Sequence, residues 1–111
     1  MRIEIKPLSV NEVWQGRRFK TKDYTAYEFA TMALVNMLKN EIEIPETGNL
    51  YVHYTFGVSN KNSDIDNLIK PFQDILQKVY NFNDKRIYEM RVSKRIVKIG
   101  HEYIDFNILP I

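Results

Sequence analysis

Asp64, Asp66, Lys70 and Asp74 stand within one short stretch, and Asp84 follows in the next turn of the chain. In an extended backbone, residues two apart point to the same side. Asp64 and Asp66 therefore aim both carboxylates at one point if a helix begins only after them. Converging carboxylates repel unless a cation lies between them, and a hard divalent ion with oxygen ligands is the usual occupant. That chemistry points to Mg2+, with Mn2+ as a substitute. Asp66, Lys70 and Asp74 are four apart, so in a helix they share one face at spacings of about 6 Å, within reach of one phosphate or of one another. A plain surface ladder reads the same way and is worth only ~0.2–0.5 kcal/mol per pair. Asp64, which a ladder does not need, and Asn67, a weak helix former, favour a site.

The elements that must position these groups follow from periodicity. Ile3 and Ile5 alternate with charged residues as a first strand that Pro7 ends. Ser9 to Lys22 has no helical or strand period and is expected to be a surface segment. From Asp23 to about Asn40 the pattern is helical, with Thr21 or Asp23 as cap and Tyr27, Ala30, Leu34, Met37 and Leu38 on the face that covers a sheet. Leu50, Val52, Tyr54 and Phe56 alternate as a half-buried strand. Leu68, Phe72, Ile75, Leu76 and Val79 form the apolar stripe of a second helix, leaving Asn67, Lys70, Asp74 and Lys78 on its polar side. Pro71 requires that helix to start near Asp66 or Asn67, so that the ring falls in or just after the first turn. Ile87 to Val97 and Glu102 to Leu109 read as two strands joined through Gly100, with Ile104, Phe106 and Ile108 inward. The fold class is α+β: one domain over residues 1–111, a mixed β-sheet covered by two helices, in the order β-α-β-α-β-β.

Composition bounds the function. The chain has 111 residues, 44% of them hydrophobic, enough for one real core but too few for a doubly wound nucleotide-binding fold with a second domain. With no cysteine, thiolate metal sites, disulfides and thiol nucleophiles are excluded. No long apolar run offers a membrane helix, and the first residues read as a strand rather than a signal peptide; the expected location is cytoplasmic. The net charge of +2 is small, but it is unevenly spread. Arg17, Arg18 and Lys20 form one basic bank, and Lys85, Arg86, Lys94 and Arg95 belong to a second. A basic rim beside an acidic pocket suits a metal-dependent enzyme acting on a polyanion. His53 and His101 have no partner visible in the sequence and are given no catalytic role. Trp14 and Tyr51 are read as core aromatics rather than base-stacking platforms.

The string Asp64-Ile65-Asp66-Asn67-Leu68-x-Lys70, then Asp74-Ile75-Leu76, then Asn83-Asp84 running into a basic strand, resembles the RusA-type Holliday-junction resolvase family of phages and prophages. The resemblance covers nearly the whole chain. It departs where the family often has two consecutive acids and this chain has Asn83-Asp84. The resemblance implies a Mg2+-dependent endodeoxyribonuclease, active as a homodimer, that places paired symmetric nicks in four-way DNA junctions during recombination and repair. It assigns Asp64, Asp66 and Asp84 to metal binding and Lys70 to an essential catalytic position, with Asp74 as a supporting acid. In phosphodiester hydrolysis the metal binds the scissile phosphate, lowers the pKa of a water and stabilises the departing 3′ oxygen. Lys70 contacts the phosphate or offsets charge in the transition state.

Two other classes fit the residues less well. One is a Mg2+-dependent nuclease for flaps or other branched DNA; the other is a non-catalytic binder of structured DNA. A pure binder gains nothing from acids that repel phosphate.

Overall fold

A computed structural model describes residues 1–15 and 19–111. Its four-stranded sheet has the order β1-β6-β4-β5. The central strand β4 (Leu50–Val58) pairs in parallel with β5 (Ile87–Ile96) on one side and antiparallel with β6 (Tyr103–Pro110) on the other. β1 (Arg2–Ile3) adds to the outer edge of β6. The first strand is therefore shorter than the Ile3/Ile5 alternation suggests. The last two strands of the sequence are not neighbours, because β4 lies between them.

Helix α2 (Ile65–Tyr80) crosses from β4 to β5 and buries the expected stripe of Leu68, Phe72, Ile75, Leu76 and Val79. The matching face of the sheet is made by alternate residues: Val52, Tyr54 and Phe56 of β4 stand level with Ile108, Phe106 and Ile104 of β6, all buried. The Phe72 ring meets Tyr54 and Phe106 edge-on, each at 5.4 Å between centroids. Such pairs add about 0.5–1.5 kcal/mol beyond the burial of their area. This packing fixes the rotation of α2 and hence the direction of its polar face.

Helix α1 (Lys22–Met37) is capped by Thr21, whose Oγ1 accepts the Tyr24 N–H at 3.1 Å. It ends before Asn40; Lys39–Glu41 instead form a short 3-10 turn. The buried side chains are Tyr24, Tyr27, Thr31 and Val35, while Met37, expected inside, is 81% exposed and Phe29 80%. Apolar residues occur all round α1, so periodicity found the covered face only in part: Tyr27 is buried and Leu34 and Leu38 pack against the core, but Met37 does not. The helix packs beside α2 and β1, and Lys78 Nζ joins the two helices by an ion pair to Glu28 Oε2 at 2.6 Å.

The segment before α1 is more ordered than its lack of period suggests. A 3-10 turn at Val10–Glu12 is closed by a capping box between Ser9 and Glu12, and β2 (Trp14–Gln15) pairs antiparallel with β3 (Phe19–Lys20). Strands of two residues are too short to display alternation.

Among the described residues, no helix covers the other face of the sheet. There Arg2 forms a two-pronged ion pair with Asp105 at 2.7 and 2.9 Å and stacks over the Tyr103 ring at 3.8 Å. The Tyr103 ring in turn lies against Gly57, where an added Cβ would come within 2.3 Å of it.

Candidate active site

Asp64 is the cap residue of α2, in extended conformation at φ −79° and ψ 130°, and its carboxylate makes no cap hydrogen bond. Asn67 Nδ2 donates to Asp64 Oδ2 at a long 3.5 Å. Asp66 is already the second residue of the helix. The period-two argument for Asp64 and Asp66 therefore fails: one residue is extended and the other helical. Both are exposed at the helix amino end, where the macrodipole favours negative charge. Pro71 falls in the turn just after the first, as expected, because the helix starts at Ile65, close to Asp66. Its missing N–H leaves the Asn67 carbonyl without a helical donor.

One turn beyond Asp66, Lys70 Nζ contacts Asp74 Oδ1 at 2.7 Å and Asp84 Oδ2 at 3.7 Å. Asp84 reaches this face because Asn81 takes a left-handed conformation at φ 55° and reverses the chain after α2, while Phe82 is buried. Asn83 then caps a short 3-10 turn, its Oδ1 accepting the Lys85 N–H at 2.9 Å. Gln77 is the residue that sequence reasoning missed. Its Oε1 accepts the Asp84 N–H at 2.9 Å and its Nε2 donates to Asp74 Oδ1 at 3.4 Å, so one amide holds both acids. The available signal was its position three after Asp74 and seven after Lys70, on the same helical face.

The hydrogen bond to Asp74 raises the Lys70 pKa above its ordinary value, and the charge of Asp84 adds to the effect. Lys70 is thus a fixed cation at neutral pH. In the core, Tyr54 donates its phenolic hydrogen to Gln73 Oε1 at 3.0 Å. Burial, with the nearby charge of Asp84, holds that phenol well above its usual pKa, so it is a neutral donor.

The basic banks divide. Lys20 reaches the site: with Lys70, Asp74 and Tyr24 it lines a cavity of about 130 Å³, and its Nζ lies 4.2 Å from the centre of the Tyr24 ring. Arg17 and Arg18 lie outside the described residues. Arg86 donates to the carbonyls of Gly48 and Pro45 at 2.9 and 2.5 Å, tying down the turn before β4. Lys94 donates to the carbonyls of Ser63 and Lys61 at 2.6 and 3.2 Å. Arg95 Nη1 donates to the Lys94 carbonyl at 3.1 Å, and Lys85 is exposed. Lys94 stands level with Phe56 and Arg95 with Gly57, on opposite faces of the sheet. His53 lies level with Arg91 and Asn107 on the helix-free face, away from these acids.

Among the described residues, no three His, Asp or Glu side chains gather into a group that could hold an ion, so Asp64, Asp66 and Asp84 do not form a closed cage. The donor chemistry nevertheless fits a hard divalent cation. Asp74 and Asp84 converge on a position already filled by an ammonium, and Mg2+ is commonly held by one or two carboxylates, with water and substrate phosphate completing its octahedron.

Residues 7–104, from the loop after β1 into β6, match the family model of an endodeoxyribonuclease. The family is endodeoxyribonuclease RusA, and the chain belongs to it. A comparison with curated proteins finds no match. Among the described residues, no helix is long and apolar enough to cross a membrane.

Proposed function

We propose that this protein is a Mg2+-dependent endonuclease that resolves Holliday junctions by paired symmetric nicks, acting in the cytoplasm in DNA recombination and repair, with Mn2+ able to replace Mg2+. Family membership supports junction resolution. The observation that carries the metal-dependent reading is the return of Asp84 to the face of α2 that bears Asp66, Lys70 and Asp74, with the Lys70 ammonium between two carboxylates. Asp64, Asp66 and Asp84 are the residues that would hold the metal. When bound, it supplies an acidified water and charge stabilisation at the scissile phosphate.

The chain's own groups do the rest. Lys70 presents a permanent positive charge to the phosphate, and once bound DNA excludes water from the site that charge is worth far more than on the open surface. Asp74 and Gln77 orient Lys70 and Asp84. Lys20 with Arg17 and Arg18, and Lys85 and Arg95 from the second bank, bind the phosphates of the junction arms; Arg86 and Lys94 contribute there only with whatever their backbone contacts leave free. A four-way junction has two equivalent scissile strands, so a small domain with one site must pair symmetrically to cut both, and a twofold homodimer meets that need.

The test is a labelled four-way junction incubated with and without Mg2+, with flap and linear duplexes beside it. Nicks at equivalent positions on two opposing strands are expected only with metal and only on the junction. Faster cutting of flaps would make the protein a general branched-DNA nuclease. Binding without any cutting would make it a non-catalytic binder. Sedimentation of a monomer at concentrations giving full paired cleavage would refute the homodimer.

A further inference from the structure

The loop between β4 and α2 delivers Asp64, and most of its hydrogen bonds are local. Asn60 Oδ1 accepts the Asn62 N–H at 2.9 Å, and the Asn60 carbonyl accepts the Ser63 N–H at 3.1 Å. These bonds shape the loop but do not attach it to the sheet. The attachment beside Asp64 comes from β5, where Lys94 Nζ donates to the Ser63 carbonyl at 2.6 Å and to the Lys61 carbonyl at 3.2 Å, while at the far end of the loop Ser59 Oγ donates to Glu102 Oε2 at 2.8 Å. Ser63 is the residue immediately before Asp64, so the first of these bonds fixes the peptide plane from which the Asp64 side chain departs. The Asp64 carboxylate has no cap bond of its own to fix it. Lys94 also comes from the strand that follows Asp84. One strand thereby sets the position of the acid at each end of the motif: Asp84 through chain connection and Asp64 through an ammonium clip.

We infer that Lys94 is a positioning residue for Asp64, holding the Asn60–Ser63 loop so that the carboxylate is pre-set for the divalent cation. The inference rests on the metal-dependent reading above. An ammonium with three donors can hold two carbonyls on an otherwise short and polar loop, and a side chain without donors cannot. Groups that orient a metal ligand without touching the metal commonly change metal affinity 10- to 100-fold when removed.

The experiment uses the full chain with Lys94→Met, Lys94→Gln and Lys94→Arg. In the metal-free protein, amide hydrogen exchange across residues 60–65 is expected to quicken about tenfold or more in the Met variant, which has no donor, and in the Gln variant, whose donors stop one bond short of the Lys94 Nζ, and to stay near the parent in Lys94→Arg. With a labelled junction, the Mn2+ concentration for half-maximal cleavage should rise about tenfold or more in the first two. The rate at saturating Mn2+ should recover to within about threefold of the parent, and metal-free junction binding should weaken far less than the midpoint shifts, because the Lys94 charge is mostly spent on backbone carbonyls. Unchanged exchange in residues 60–65 overturns the clip. Faster exchange with an unmoved Mn2+ midpoint overturns the link to Asp64 and leaves Lys94 a loop tether only. Metal-free binding that weakens in step with cleavage, with no shift of the midpoint, makes Lys94 a DNA contact instead. A parent chain that cuts equally well without divalent metal removes the metal-dependent reading itself, an outcome distinct from the others because the parent alone reveals it.

Discussion

Replacing Lys70 by Met separates a role in stability from one in catalysis, because the geometry predicts a small effect on one and a large effect on the other. The Lys70 side chain is 58% exposed, and its partners Asp74 and Asp84 are 34% and 37% exposed. Exposed i,i+4 ion pairs contribute about 0.3–0.5 kcal/mol, and the longer contact to Asp84 adds no more than that. Loss of both contacts, and of the screening that Lys70 gives the two acids, should lower stability by about 1 kcal/mol or less, a melting shift of at most roughly 4–8 °C. A charge aimed at a phosphoryl transition state is worth more. Removal of one such preorganised group typically costs about 100- to 1,000-fold in rate, or ~2.7–4 kcal/mol. The assay is single-turnover cleavage of a labelled junction at saturating Mg2+, run with gel-shift binding and thermal unfolding. Cleavage should fall by that factor while binding stays nearly parental. A rate within tenfold of the parent refutes the catalytic role. A rate loss accompanied by a melting drop well beyond 8 °C would mean that the ladder is structural and the magnitudes above are wrong.

Asp64→Asn or Asp66→Asn should abolish cleavage while junction binding stays intact or strengthens, because a charge that repels phosphate is removed; weaker binding in a filter assay would contradict this. Gly57→Ala should cost about 1–3 kcal/mol in urea unfolding, because the new methyl meets the Tyr103 ring and forces it off the Arg2 stack; an unchanged midpoint would show that the ring moves freely. Glu28 has a lowered pKa, chiefly through its hydrogen bond to Lys78, so its stabilising contribution is present above its ordinary carboxylate range and is lost as pH falls through the depressed folded value. Glu28→Gln should therefore unfold more easily than the parent at neutral pH and converge with it in acid titrations once the pH has fallen through the depressed folded value; parallel curves at all pH values would count against the helix-to-helix tie.

The legibility of these elements depended on how one-sided each was. Helix α2 reads cleanly because Leu68, Phe72, Ile75, Leu76 and Val79 all face one way, and that rotation also fixes Lys70 and Asp74. In α1, Phe29 and Met37 stand in solvent on a helix whose apolar residues run all round, so no period picks out Tyr24, Thr31 and Val35. At the site, the sequence placed Asp66, Lys70 and Asp74 on one face correctly. It misassigned Asp64 and Asp66 to a common strand period, because where a helix begins depends on the backbone at a single cap residue. The parts it missed are tertiary. Gln77 matters only because the turn at Asn81 returns Asp84 to it, and the carbonyls held by Arg86 and Lys94 belong to loops distant in sequence.

The pairing of β1 with β6 has a consequence for biosynthesis. Arg2 and Ile3 find their partners at Asp105 and Ile104, so a strand made earlier waits for one made much later in the chain. Closing so long a loop costs only slowly growing entropy, but it places the pairing late in time. The β4-α2-β5 unit, which holds every acid of the motif, is contiguous and needs no such wait. A nascent chain therefore completes the ladder of acids and lysine before the sheet that supports them gains its antiparallel half, and the exposed antiparallel edge of β4 is the surface that a chaperone would have to shield in that interval.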